Sequence, residues 1–313
     1  MQVSDYKAVL VTIEESQSGQ RIDNFLVKHL KGVPRSHIYR LLRSGQVRVN
    51  SGRKKPHYKL KTDDILRIPP VRINDEDNYV VPASIIQKLE DSIIYEDDNI
   101  FALNKPSGIA VHKGSGLSFG IIEACRQMYP EQPLELVHRL DRETSGCLLL
   151  AKNRQILAEL HELLRHEKII RIEKTYLALV CGQWKQGNTT VDIGISKIKR
   201  GGEHMMQADE SGDQAISHFE PLEVFEHCSL MKVSIETGRT HQIRVHAKHC
   251  DHPIVGDSKY GNKTANQLFR KLGLKRLFLH AQQLQLPLSE PITINAPLSD
   301  DLEHLLKQLR LNN

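Results

Sequence analysis

His138-Arg139-Leu140-Asp141-Arg142-Glu143-Thr144-Ser145-Gly146 sets one short carboxylate among two arginines and a histidine. Apolar runs of strand length flank it, residues 134–137 before and 147–151 after, so the segment reads as a polar turn between two strands. Neighbouring positive charge favours the ionised form of a carboxylate. An ionised, accessible Asp141 has the makings of a nucleophile. Taken alone, an aspartate between strands is ordinarily a turn former or half of a surface ion pair.

The chain around it is 313 residues long, enough for one large domain and a small one, with a core built mainly on Leu, Ile and Val because aromatics are few. Residues 1–10 contain Asp5 and Lys7 and lack an apolar centre, and no run reaches membrane-spanning length. The expectation is a soluble cytoplasmic protein without a membrane partner. Five scattered cysteines (Cys125, Cys147, Cys181, Cys228, Cys250) form no Cys-x-x-Cys pair, so neither a disulfide framework nor a cysteine zinc site is indicated. His241, His246, His249 and His252 match no standard zinc spacing either, although His246 and His249 could share a helical face; no metal is expected.

Charge is unevenly spread. Residues 21–67 hold thirteen Lys or Arg against three Asp or Glu, a surplus of ten in a chain whose net charge is +5. A segment this basic suits a polyanion, because phosphate contacts release counterions; a solvated basic face is the alternative. Residues 1–20 read as a short strand and connector. Ile22, Phe25, Leu26 and Leu30 then recur at helical spacing, Gly32 ends the pattern, Ser36 is placed to cap a second helix through Ile38, Leu41 and Leu42, and Gly45 closes it. Small strands follow at residues 47–49 and 65–68, with a turn at Asn50-Ser51-Gly52. With Arg35, Arg40, Arg43, Arg48, Arg53, Lys54 and Lys55 along it, residues 21–68 resemble an S4 RNA-binding module, which implies contacts to RNA phosphates and shape. Residues 69–91, with Pro69, Pro70, Pro82 and a polar run at 74–78, read as a linker. Residues 92–313 mix strands (93–95, 100–103, 175–180) with helices (157–164, 302–309), and residues 231–235 and 242–245 flank a turn. Without a regular βαβ repeat, the fold class is α+β: a small N-terminal module plus a larger catalytic domain on a mostly antiparallel mixed sheet.

The segment 138–146 resembles the His-Arg-Leu-Asp-x-x-Thr-Ser-Gly signature of the RluA-type pseudouridine synthases, and further segments follow in that family's order. Asn104-Lys105-Pro106-Ser107-Gly108 is a sharp turn similar to the first family motif, which buttresses the active-site region. Lys174-Thr175-Tyr176 resembles the segment whose tyrosine stacks on the target uracil; alone, Tyr176 is a strand core aromatic. Glu236-Thr237-Gly238-Arg239-Thr240-His241-Gln242-Ile243-Arg244 resembles the Gly-Arg-Thr-His-Gln-x-Arg motif. The resemblance implies that Asp141 is the catalytic carboxylate, that Arg239 pairs with it through a planar guanidinium, that Arg139 fills the space left by an extruded base, and that Ile243 and Leu279 line the uracil pocket. Gly256-Asp257, Tyr260-Gly261 and residues 277–281 continue the order. The S4-like module and the glycine-rich loop at 111–120 point to the subgroup acting on large-subunit (23S) ribosomal RNA. No cofactor is implied, and a monomer is expected. The competing readings are the same chemistry on another ribosomal RNA site or on transfer RNA, a non-catalytic RNA-binding or ribosome-assembly factor, and an RNA hydrolase. A metal-dependent nuclease would need several clustered carboxylates, whereas these motifs supply only Asp141 and the adjacent Glu143.

Overall fold

A computed structural model describes residues 8–30, 33, 35–71, 81–113, 119–165, 170–200 and 202–312. The polar run at 74–78, the centre of the glycine-rich loop (114–118), Gly32 and the side chain of Arg35 lie outside the described residues. The chain forms two compact units, residues 1–80 and 81–313.

The first unit contains β1 (Val9–Thr12), a 3-10 turn, α1 (Ile22–His29), α2 (Arg35–Arg43), β2 (Arg48–Val49) and β3 (Ile65–Ile68), with its strands in the order β1-β3-β2. The apolar periodicity does what its spacing demands. Ile22, Phe25 and Leu26 of α1 and Ile38, Leu41 and Leu42 of α2 bury against Val47, Val49, Leu66 and Ile68. In β3 the strict alternation leaves Ile65 and Arg67 outside and Leu66 and Ile68 inside. Asn50 and Ser51 both adopt positive φ (47° and 65°) between Val49 and Gly52, which exchange backbone hydrogen bonds. That is the two-residue hairpin geometry that matches strand twist. Helix α2 begins at Arg35, so Ser36 falls in its first turn, and its side chain lies outside the described residues.

The second unit opens with α3 (Ala83–Glu90), which corrects the expected linker. Pro82 precedes this helix, and Ile85, Ile86 and Leu89 give it an apolar stripe, with Leu89 wholly buried; the prolines and polar residues upstream masked that stripe. There follow β4 (Ile93–Glu96), β5 (Ile100–Lys105), α4 (Ile121–Met128), β6 (Glu135–Leu136), β7 (Ser145–Ala151), α5 (Arg154–Leu163), β8 (Glu173–Cys181) and β9 (Thr189–Asp192). A two-stranded ribbon, β10 (Ile195–Arg200) and β11 (Glu203–Ala208), precedes β12 (Ile216–Val224), β13 (Cys228–Ile235), α6 (Gln242–His249), α7 (Lys263–Lys271), β14 (Leu279–Leu286), β15 (Ile292–Asn295) and α8 (Asp300–Leu311). Residues 242–245 are thus the first turn of a helix.

The large sheet runs β4-β5-β7-β14-β8-β13-β12-β9, with β15 added to β14 and β6 to β7. Its pairings are antiparallel except β7 with β14, joined through His280 opposite Ser145 and Ala281 opposite Gly146. All seven residues of β7 are buried, because α5 and β15 contribute to the core on one side of the sheet and the neighbouring strands close around it. A second cluster packs α7 and α8 on β8 and β13 through Phe269, Leu302, Leu305, Leu179 and Leu230. Each fully buried Leu or Phe contributes about 1.5–3 kcal/mol relative to exposure, so the centre of the sheet is a rigid platform. No helix of the described residues is long and apolar enough to cross a membrane.

Candidate active site

Asp141 stands on the turn that enters β7, the strand at the parallel crossing. The turn is tied down from both sides. His138 accepts the Leu149 N–H at 3.2 Å, folding the start of the turn back on β7. From the other side, the Ser107 hydroxyl donates to the Glu143 carbonyl (2.7 Å), and the Gly108 N–H and the Lys105 ammonium both donate to the Arg142 carbonyl (2.8 and 3.0 Å). Lys105 is wholly buried and sends its two other protons to the carbonyls of Pro106 and Ile109. Burial pushes its pKa down to about 7 while Glu143 and Asp141 oppose the shift. Three carbonyl oxygens around one nitrogen suit the protonated amine, since only an ammonium has three protons to give. The turn at 104–108 is therefore a brace under the aspartate loop.

The guanidinium on Asp141 belongs to Arg244, not to Arg239. Arg244 Nη1 lies 3.4 Å from Asp141 Oδ2, while its Nε and Nη2 each contact Asp257 at 2.8 Å. The Arg244 and Asp257 side chains are 5% and 1% exposed. Burial alone would raise the Asp257 pKa; hydrogen bonds and charge from Arg244 and the N–H groups of Tyr260 and Lys259 outweigh it and hold the carboxyl below its ordinary value. The ring of Tyr260 lies under the guanidinium at 5.1 Å. Arg239, by contrast, precedes the helix and spends its Nε on the Gln214 carbonyl at 3.0 Å. The motif holds two arginines, and helix phase decides which is buried against the carboxylate: Arg244 sits in the first turn of α6, whose residues 242–247 are buried, while the exposed Arg239 lines the cavity rim. Asp257 and Tyr260 lay on the stretch singled out in the sequence, but no local pattern marked them as the support of Arg244.

Asp141, Arg139, Arg244, Tyr176, Ile243 and Leu279 converge on a small cavity of about 70 Å³. Tyr176, Ile243 and Leu279 are 7%, 5% and 3% exposed and supply its apolar and aromatic surface. Burial raises the Tyr176 pKa further above its ordinary range, so the phenol stays neutral. Asp141 keeps 25% of its side chain accessible. Next to this cavity a cleft of about 660 Å³ shares Arg139, Leu140, Asp141, Arg239, His241 and Arg244 and adds Lys113, Arg142 and Lys259. Glu143 also lines the cleft, but Lys and Arg outnumber the carboxylates there, as a phosphate-bearing ligand favours.

In the first unit Arg40, Arg43, Arg48, Arg53 and Lys55 are exposed, and the Lys54 ammonium lies 4.7 Å over the Tyr58 ring. Among the described residues no group of three or more His, Cys, Asp or Glu could hold a metal ion. The histidines of α6 are placed otherwise: His246 is buried between the Ser217 hydroxyl and the Ile193 carbonyl, at 2.9 and 3.1 Å.

Comparison with known proteins agrees with this architecture. The family model for RNA pseudouridylate synthases matches residues 99–249, and that for the S4 domain matches residues 20–66. The chain is 49% identical to the ribosomal large subunit pseudouridine synthase C of Yersinia pestis, covering 97% of this chain and 96% of that protein. It is 46% identical to the protein of the same name from Escherichia coli K12, covering 96% of each. Among solved structures, human RNA pseudouridylate synthase domain containing 4 superposes with a TM-score of 0.59 at 27% identity, over 72% of this chain and 96% of that one. The chain belongs to the RluA-type RNA pseudouridine synthases, with an N-terminal S4 domain. It is an RNA pseudouridine synthase enzyme on an α+β fold.

Proposed function

We propose that this enzyme converts specific uridines of large-subunit (23S) ribosomal RNA to pseudouridine, with Asp141 acting on a uridine turned out of its stack. The observation that carries this reading is a single accessible carboxylate, gripped by Arg244, at a cavity surfaced by Tyr176, Ile243 and Leu279. The names of the relatives support the choice of RNA, and work on ribosomal RNA implies a cytoplasmic setting. The N1–C1′ bond breaks, the uracil turns within the pocket, and C5 bonds to C1′. The C5 proton is lost and N1 regains one, so atoms balance without redox chemistry. Asp141 either attacks C1′ or removes the proton that starts a glycal-type route. Tyr176 presents its ring to the base, which needs an aromatic face once unstacked. Arg139, exposed beside the pocket, fills the space the base vacates. Turning out the base costs a few kcal/mol, offset by pocket contacts and by phosphates on the basic surface.

Asp141→Asn is expected to abolish tritium release from transcripts tritiated at uracil C5 while leaving RNA binding within about threefold. Parental turnover in the purified variant defeats the assignment. Pseudouridine mapping of ribosomal and transfer RNA from cells lacking the gene separates the substrates. Loss confined to transfer RNA overturns the ribosomal reading.

A further inference from the structure

His241 adopts the left-handed conformation, φ 58°, immediately before α6. A histidine holds that conformation where its surroundings fix it, and here they fix the ring. His241 Nδ1 lies 2.7 Å from the Tyr260 hydroxyl, and the two rings meet edge to face at 5.4 Å. The Tyr260 oxygen already accepts the Met206 N–H at 3.0 Å. Tyr260 is 4% exposed, and a buried hydroxyl left without an acceptor is costly. Among the described residues the acceptor for its proton is His241 Nδ1. Tyr260 therefore donates, Nδ1 accepts, and the neutral imidazole carries its hydrogen on Nε2. That nitrogen lies 3.9 Å from Asp141 Oδ2, and His241 lines the small cavity. The charged groups facing the ring are Asp141, Arg244, Lys259 and Asp257; burial lowers the His241 pKa, Asp141 opposing, so the neutral form is the working one.

We propose that His241 is a positioning residue whose Nε2–H, fixed in place by Tyr260, is the second donor that orients Asp141 alongside Arg244. The inference rests on Asp141 being the catalytic carboxylate. The gap is longer than a hydrogen bond, so in the free enzyme the N–H acts as an oriented dipole. Catalytic hydrogen bonds often start long and shorten in the substrate complex, and closing this one needs a movement of about 1 Å. Both holders of Asp141 then depend on one short turn: Asp257 fixes Arg244, and Tyr260 fixes His241. Replacing either support should disturb the carboxylate without touching the substrate.

The test has a spectroscopic and a kinetic part, both on the full chain. Nitrogen-15 imidazole correlations should show His241 as the Nε2–H tautomer in the parent and a mixture of tautomers in Tyr260→Phe. A parent in the Nδ1–H form overturns the proposal. Tyr260→Phe should lower kcat roughly tenfold with KM little changed, the scale of one hydrogen bond to a charged group. His241→Gln places an amide N–H near the site of Nε2 and should keep roughly tenfold more kcat than His241→Leu. Equal kcat in those two variants, or parental kcat in Tyr260→Phe, overturns the proposal. Should Tyr260→Phe fail to fold, the His241 pair decides alone. Asp141→Asn is measured beside them: if it turns over, the assignment of Asp141 fails; if it is dead while the His241 and Tyr260 variants match the parent, only this inference fails.

Discussion

Arg244 faces two carboxylates and serves them unequally. Asp257 takes two short contacts in the dry interior and fixes the plane of the guanidinium, while the partly accessible Asp141 takes one longer contact. Removing one member of a buried pair leaves a charge without its counterion, which typically costs about 3–5 kcal/mol. Asp257→Asn is expected to lower the melting temperature and to cut kcat at least roughly tenfold, since Arg244 loses its orientation. Thermal melts and tritium release check both effects. The sign with pH follows from the lowered Asp257 pKa. The unfolded chain binds this proton at a higher pH than the fold does, so the stabilisation is complete above the unfolded value and is lost as pH falls through the folded one. The stability gap between parent and variant should therefore close on acidification below about pH 3.8. A gap that persists there would mean that packing, not charge, is what Asp257 contributes. Asp141, Tyr176, Ile243, Leu279, Arg139 and Arg239 were legible in the sequence as residues of one site, and all of them line one cavity. That Arg244, not Arg239, contacts Asp141, and that Asp257 and Tyr260 support it, was not legible, because an arginine carries no local mark of the direction its side chain takes.

At the scale of elements, the parallel contact of β7 with β14 puts the aspartate turn beside the start of β14. Gly146 sits at that crossing with φ +110°, and a Cβ there would stand 2.2 Å from the Ala281 carbonyl oxygen. Gly146→Ala is expected to cost about 3 kcal/mol or more, through both the backbone conformation and displacement of β14. The check is a denaturant titration, and a variant within about 1 kcal/mol of the parent would show that β14 moves freely. Alternating or helical apolar patterns made β1, β3 to β5, α1, α2, α5 and α8 readable, since burial of one face imposes the period. The parallel pairing was not readable, because it joins segments more than a hundred residues apart. Helix α3 was hidden by the prolines before it.

At the scale of the molecule, both units carry basic surface. The S4 unit carries the exposed Arg40, Arg43, Arg48 and Arg53, and the synthase unit the pocket with the exposed Arg139 and Arg239 on its rim. Replacing Arg40, Arg43, Arg48 and Arg53 together by glutamine should leave the fold intact, since all four are exposed. It should weaken RNA binding and reduce the salt slope by up to about 0.7–0.9 for each phosphate that is no longer neutralised. Binding measured across a salt series checks this, and an unchanged slope would remove these side chains from the RNA surface.

By itself the sequence determined the α+β class and the basic S4 module apart from a larger synthase domain, and it singled out the turn that carries Asp141. Each of these is written locally, in apolar periodicity, charge density or a contiguous motif. Only the tertiary structure decided which arginine lies against Asp141, what steadies that arginine, and that the His241 ring sits between Tyr260 and Asp141. Those depend on helix phase and on contacts between residues far apart in the chain, and neither is set until the sheet has closed.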